Sequence, residues 1–106
     1  MAWVWLGIAG ILEVVWAYSM KLSLGFTRPG PTIVTVIAMI ASFALLASSM
    51  RVLPLGTAYL VWTGIGAIGA FVIGVAVLGE PLGTLRVVAA VLVLAGIVLM
   101  KLATPG

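Results

Sequence analysis

Glu13 stands inside a run of apolar residues that carries no other charge, and three positions later on the same helical face comes Trp16. If residues 2–20 span a bilayer, a rise of ~1.5 Å per residue puts this carboxylate ~15 Å inside Trp3, near the midplane. An acidic group there costs about 2.5–3.5 kcal/mol on insertion scales and marks a functional site unless a partner explains it. Two further donors share a face elsewhere, Tyr59 and Trp62, and Ser42 adds a hydroxyl. A deep indole N–H requires an acceptor, and a carboxylate is the obvious one. The chemistry available to such a set is reversible binding of a proton or an organic cation. A lone carboxylate holds one or the other but not comfortably both, and that exclusion would couple the two. Plainer roles stay open: Glu13 hydrogen-bonding a neighbouring helix, Trp16 and Trp62 filling a core, and Ser42 bonding the carbonyl four residues back on its own helix.

The composition states what must position these groups. Of 106 residues 65% are hydrophobic and 7% charged, against about 25% charged in soluble domains. The chain is expected to be an all-α integral membrane protein. With no cysteine and no histidine, disulfides, the common metal sites and Ser-His or Cys-His nucleophiles are all missing, so neither an enzyme nor a metal cofactor is expected. No Lys or Arg precedes the first apolar run, and Glu13 interrupts it, so the segment is expected to be retained and not cleaved as a signal peptide. The net charge of +3 comes from five basic residues scattered at the ends of apolar runs, which marks membrane boundaries and not a nucleic-acid surface.

Read in order, residues 1–106 form one domain with spans over about 2–20, 32–50, 55–78 and 85–100, each closed by a basic, proline or glycine signal. Ser23 through Pro31 is the expected first loop. Gly66, Ala70 and Gly74 recur every four residues on the third span, and Ala89 and Gly96 stand seven apart on the fourth. Both are spacings that allow close helix contact, within a subunit or between subunits. Residues 64–69 satisfy GxGxxG, but they follow no strand and lack an acidic residue about twenty positions on, so the glycines are read as a kink or hinge. Glu80, at a helix boundary, is expected to pair with a basic side chain or to cap backbone N–H groups.

Four helices are too few to enclose a pathway, so an oligomer is expected. Arg51 and Lys101 fall on one side of the membrane and Lys21, Arg28 and Arg86 on the other, a near balance that permits insertion in both orientations. Two copies of opposite orientation would reproduce by association the inverted-repeat plan of secondary transporters.

At this point several segments together match a known pattern: Glu13 in the first span, Lys21 followed by Gly25-Phe26-Thr27-Arg28, then Gly56-Thr57-Ala58-Tyr59 after Pro54, and Trp62-Thr63-Gly64-Ile65-Gly66. Over essentially the whole chain this resembles the small multidrug resistance family. Trp16 after Glu13-Val14-Val15 is similar to the guanidinium-exporting subtype, since exporters of polyaromatic drugs usually carry a small residue there. The resemblance implies an antiparallel, dual-topology homodimer in a bacterial inner membrane that exchanges protons for guanidinium-type cations. It implies that the two Glu13 carboxylates bind proton and substrate competitively, with Trp16, Ser42, Tyr59 and Trp62 as hydrogen-bond partners. Gly64 and Gly66 would form a hinge, Met39 and Phe43 would face a lateral opening, and Ala89 and Gly96 would lie in the dimer seam. Pro29-Gly30-Pro31 departs from relatives, which usually carry a bulky apolar residue in place of one proline, and Ala89 replaces a glycine common in that seam. The competing readings are an exporter of quaternary ammonium or aromatic drugs, a non-transporting membrane interaction protein, and an obligate heterodimer with a sibling chain.

Overall fold

Uninterrupted apolar sequence gives four long helices in a computed structural model that describes residues 1–104: α1 (Ala2–Leu22), α2 (Pro29–Ser49), α3 (Leu55–Ala76) and α4 (Thr84–Ala103). Each is long and apolar enough to cross a membrane, and the chain is a multi-pass membrane protein with four spans. Helix is the only open-ended way to cross lipid, because it satisfies every backbone group within the segment.

The first turn is tighter than the sequence suggests. Ser23, fully buried, donates its hydroxyl to the Met20 carbonyl (2.7 Å) and accepts the Phe26 N–H (3.0 Å), while Thr27 N–H returns to the Ser23 carbonyl (2.9 Å). Gly25 takes φ 74° between Leu24 at 50° and Phe26 at 66°, so the chain reverses through three left-handed residues held by the serine. The expected loop of Ser23 to Pro31 is therefore too long: α2 begins at Pro29. Prolines in a first turn give up only N–H groups that have no acceptor in the helix, so Pro29 and Pro31 enter α2 although they are turn formers. Smaller differences follow the same pattern. α1 continues to Leu22, α3 stops at Ala76, and α4 runs from Thr84 past Lys101 to Ala103.

The helices form a slab of 42 × 34 × 16 Å. α1 packs on α2 and α3, whereas the backbone of α4 approaches α3 alone, and no α4 residue is buried. Leu6 and Ala9 of α1, Leu46 of α2 and Ala58, Val61 and Trp62 of α3 make the core. In lipid such packing rests on close van der Waals fit, with small residues letting backbones approach. On the α1–α3 seam, Gly10 accepts the Ile65 side chain and Gly69 the Val14 side chain, so that glycine alternates between the two helices. At the end where α1 begins, the Lys101 ammonium sits 4.5 Å from the centre of the Trp3 ring, and Thr57 and Thr104 share a hydrogen bond of 3.2 Å. These contacts tie the C-terminal turn of α4 to the start of α1 and α3.

Candidate functional site

The α1–α3 seam brings Glu13 across the backbone of α3 at Gly66, and its Oε1 is buried with no hydrogen-bond partner among the described residues. The Trp16 indole N–H, one turn on, is likewise buried and unpartnered. A buried polar group costs about 1–3 kcal/mol when left unsatisfied, and here an acceptor and a donor stand open one helical turn apart among the described residues.

One turn earlier on α1, the Ala9 carbonyl receives the Ser42 hydroxyl at 2.7 Å, and Ser42 Oγ accepts the Trp62 indole N–H at 3.0 Å. All three residues are buried. Ser42 thereby joins three helices, donating to α1 and accepting from α3. This is neither the bond to its own helix nor a bond to Glu13. Because a hydroxyl has a single proton, Ser42 cannot donate to the carboxylate while Ala9 holds it.

A chain of rings runs beside these groups. Phe43 lies between Trp16 (centroids 6.3 Å, edge-on) and Trp62 (5.6 Å), and Trp62 meets Tyr59 at 5.7 Å. Tyr59 and Phe43 are 54% and 46% exposed, so two members of the chain present their rings outward. Met39 is half-buried, one turn before Phe43 on α2. The structure thus links Trp16, Tyr59 and Trp62 through ring contacts that include Phe43, and joins Ser42 to Trp62 by a hydrogen bond. Among the described residues, none of the four donates to Glu13.

α3 passes through residues 64–66 as unbroken α-helix. Its two glycines serve opposite neighbours: Gly64 receives Ile97 of α4, and Gly66 receives Glu13 of α1. Ala89 lines a groove with Ala67, Phe71 and Arg86, and Gly96 lines a second with Tyr59, Leu60 and Thr63, so both face outward along the α3–α4 edge. Sequence reasoning missed the Ala9 carbonyl, which no side-chain type announces, and the role of Gly66 as the surface under Glu13.

The second acidic residue stands apart. Glu80 lies in the α3–α4 turn with its carboxylate over Gly74 and Arg86 at 3.5 Å, and Arg86 in turn sits 5.7 Å from the Phe71 ring. Both partners are more than two-fifths exposed, where an ion pair contributes about 0–1 kcal/mol. Glu80→Gln is therefore expected to leave transport by reconstituted protein largely intact. A loss comparable to that of a Glu13 variant would place Glu80 in the site.

Four apolar spans, the first carrying a mid-span carboxylate one turn from a buried tryptophan N–H, define a small multi-pass membrane protein. The chain belongs to the small multidrug resistance family: the profile described as Small Multidrug Resistance protein matches residues 1–102. It is 53% identical over 104 residues to the guanidinium exporter of Citrobacter freundii, covering 98% of this chain and 99% of that one. It is also 53% identical to that of Yersinia pestis (98% and 100%) and 52% identical to that of Escherichia coli strain K12 (98% and 99%).

Proposed function

We propose that this protein exports guanidinium and small substituted guanidinium cations in exchange for protons, as an antiparallel homodimer in a bacterial inner membrane. The observation that carries the reading is the Glu13 carboxylate, mid-span, with a buried oxygen that has no hydrogen-bond partner among the described residues. Guanidinium supplies what that oxygen lacks, a planar fork of N–H donors carrying a positive charge, and its flat face suits the neighbouring indoles. The likeness to guanidinium exporters at about half identity over nearly the whole length supports the same substrate class.

The homodimer is supported by three features. Loop charge is nearly balanced between the two sides, α4 buries none of its residues within the chain, and Gly96 has nothing within 4 Å of the position a Cβ would take. Ala89 and Gly96 then form the seam, and the two Glu13 side chains share one pathway. Ser42 and Trp62 stiffen the site, Trp16 and Tyr59 offer donors, Gly64 and Gly66 allow α3 to bend between inward- and outward-open forms, and Met39 and Phe43 border the lateral opening.

Because proton and cation compete for the same oxygens, apparent guanidinium affinity is expected to weaken as pH falls and to level off once Glu13 is fully ionised. Titration of purified protein by tryptophan fluorescence at several pH values checks this, and affinity independent of pH would remove the competition. The functional test is the current across proteoliposomes on concentration jumps of guanidinium, phenylguanidinium and tetrapropylammonium. Currents with the two guanidines are expected. Current with the quaternary ammonium alone would make the chain a drug exporter, and none with any cation would leave an interaction protein.

A further inference from the structure

We infer that Gly66 is a positioning residue for the transport carboxylate: its missing side chain is the seat on which Glu13 rests, a role separate from any bending of α3. A Cβ built on Gly66 would lie 2.7 Å from Glu13 Cγ and nearer still to Cδ and Oε1. Three consecutive atoms of the glutamate therefore lie across the bare backbone, and no rotation of the carboxylate alone clears them. The arrangement is reciprocal. One turn before Glu13, Gly10 of α1 receives Ile65, the neighbour of Gly66, with Ile65 Cγ2 2.6 Å and Cβ 2.7 Å from the place of its own Cβ. Each helix thus presents a glycine to a side chain of the other, and the pair sets how closely α1 approaches α3 at the depth of the carboxylate. Glycine inside a helix costs about 1 kcal/mol relative to alanine, an expense that the seat accounts for.

The consequence differs from that of a hinge. A methyl at position 66 meets a flexible side chain, so the helices stay packed and the Glu13 side chain swings aside from Cγ outward. The fold survives and the site changes. A methyl at Gly64 meets Ile97 of α4 on another face, and the nearest atoms to a methyl at Gly69 are those of Val14, on the same seam. These two substitutions control for stiffening of α3 and for general crowding of α1 against α3.

The proposal rests on the reading of Glu13 as the cation- and proton-binding group, and the experiment separates the two. Glu13 and Glu80 are the two acidic residues of the chain, so a Glu80→Gln background with 13C-labelled glutamate leaves one carboxyl signal, that of Glu13. In this background the Glu13 Cδ resonance and its pH titration are recorded for the parent and for Gly66→Ala, Gly64→Ala and Gly69→Ala, with guanidinium affinity measured by calorimetry on the same samples. Gly66→Ala is expected to displace both the resonance and its titration midpoint and to weaken guanidinium binding on the order of tenfold, with helical content unchanged. The other two variants are expected to leave the resonance in place. An unmoved resonance in Gly66→Ala, or equal displacement by all three variants, would overturn the seat. A parent that binds no guanidinium would overturn the functional reading, while the resonance still decides the seat.

Discussion

Glu13→Gln is expected to abolish guanidinium-driven current and proton exchange while leaving a folded four-helix chain. Glutamine has nearly the shape of glutamate, so it fills the space over Gly66 and keeps α1 against α3. It cannot ionise, and with the charge goes the competition that couples one ion to the other. A guanidinium entering the low-dielectric centre without its counter-charge faces the penalty of a buried ion whose partner has been removed, about 3–5 kcal/mol. That is roughly two to three and a half decades in affinity, at 1.4 kcal/mol per decade. Proteoliposome currents at matched protein density, with circular dichroism to verify helix content, check this. Exchange close to wild type would take Glu13 out of the mechanism.

The next largest effect is expected from Ser42→Ala. Ser42 is fully buried, and its oxygen is the acceptor of the Trp62 indole N–H at 3.0 Å. Alanine leaves that N–H without a partner and frees the Ala9 carbonyl from its link to α2. The unmet indole alone costs about 1–3 kcal/mol, and a turn of Trp62 away from its place between Phe43 and Tyr59 relieves it. Guanidinium affinity is expected to fall on the order of tenfold and discrimination against tetrapropylammonium to narrow, because the ring that shapes the site is no longer fixed. Ser42→Thr, which keeps the hydroxyl, should retain more of both. Substrate titrations followed by tryptophan fluorescence measure the change. If Ser42→Ala bound guanidinium as tightly as wild type, the Ser42–Trp62 link would be packing and nothing more.

What could be read from sequence divides along a physical line. Glu13 was visible because a charge in an apolar run has few explanations, and the four spans followed from hydropathy with basic and proline punctuation. Contacts made through the backbone left no such trace. The Ala9 carbonyl that anchors Ser42 belongs to a residue whose side chain does nothing, and the seat under Glu13 is an atom that Gly66 lacks. The stripe of Gly66, Ala70 and Gly74 fitted contact within or between subunits equally well, because the same smallness serves both. In the fold Gly66 takes Glu13 and Gly74 takes Glu80 of the same chain. Pro29-Gly30-Pro31 reads equally as loop or helix start, because proline and glycine open both turns and helices, and only the first α2 hydrogen bond, from Thr32 N–H to the Arg28 carbonyl at 3.1 Å, decides between them. The hydrogen bonds that the family resemblance implies from Trp16, Tyr59 and Trp62 to Glu13 fall in the same category. Sequence names these donors but does not fix where each proton points.

The most direct test of the central claim is proton movement driven by guanidinium alone. Purified protein in liposomes with a pH-sensitive dye inside, with equal pH on both sides and a clamped membrane potential, is given guanidinium on the outside. If cation and proton exchange on Glu13, guanidinium entering drives protons out and the interior becomes alkaline until the two gradients balance. Guanidinium entry with no change in internal pH, or with protons moving in the same direction, would contradict the account.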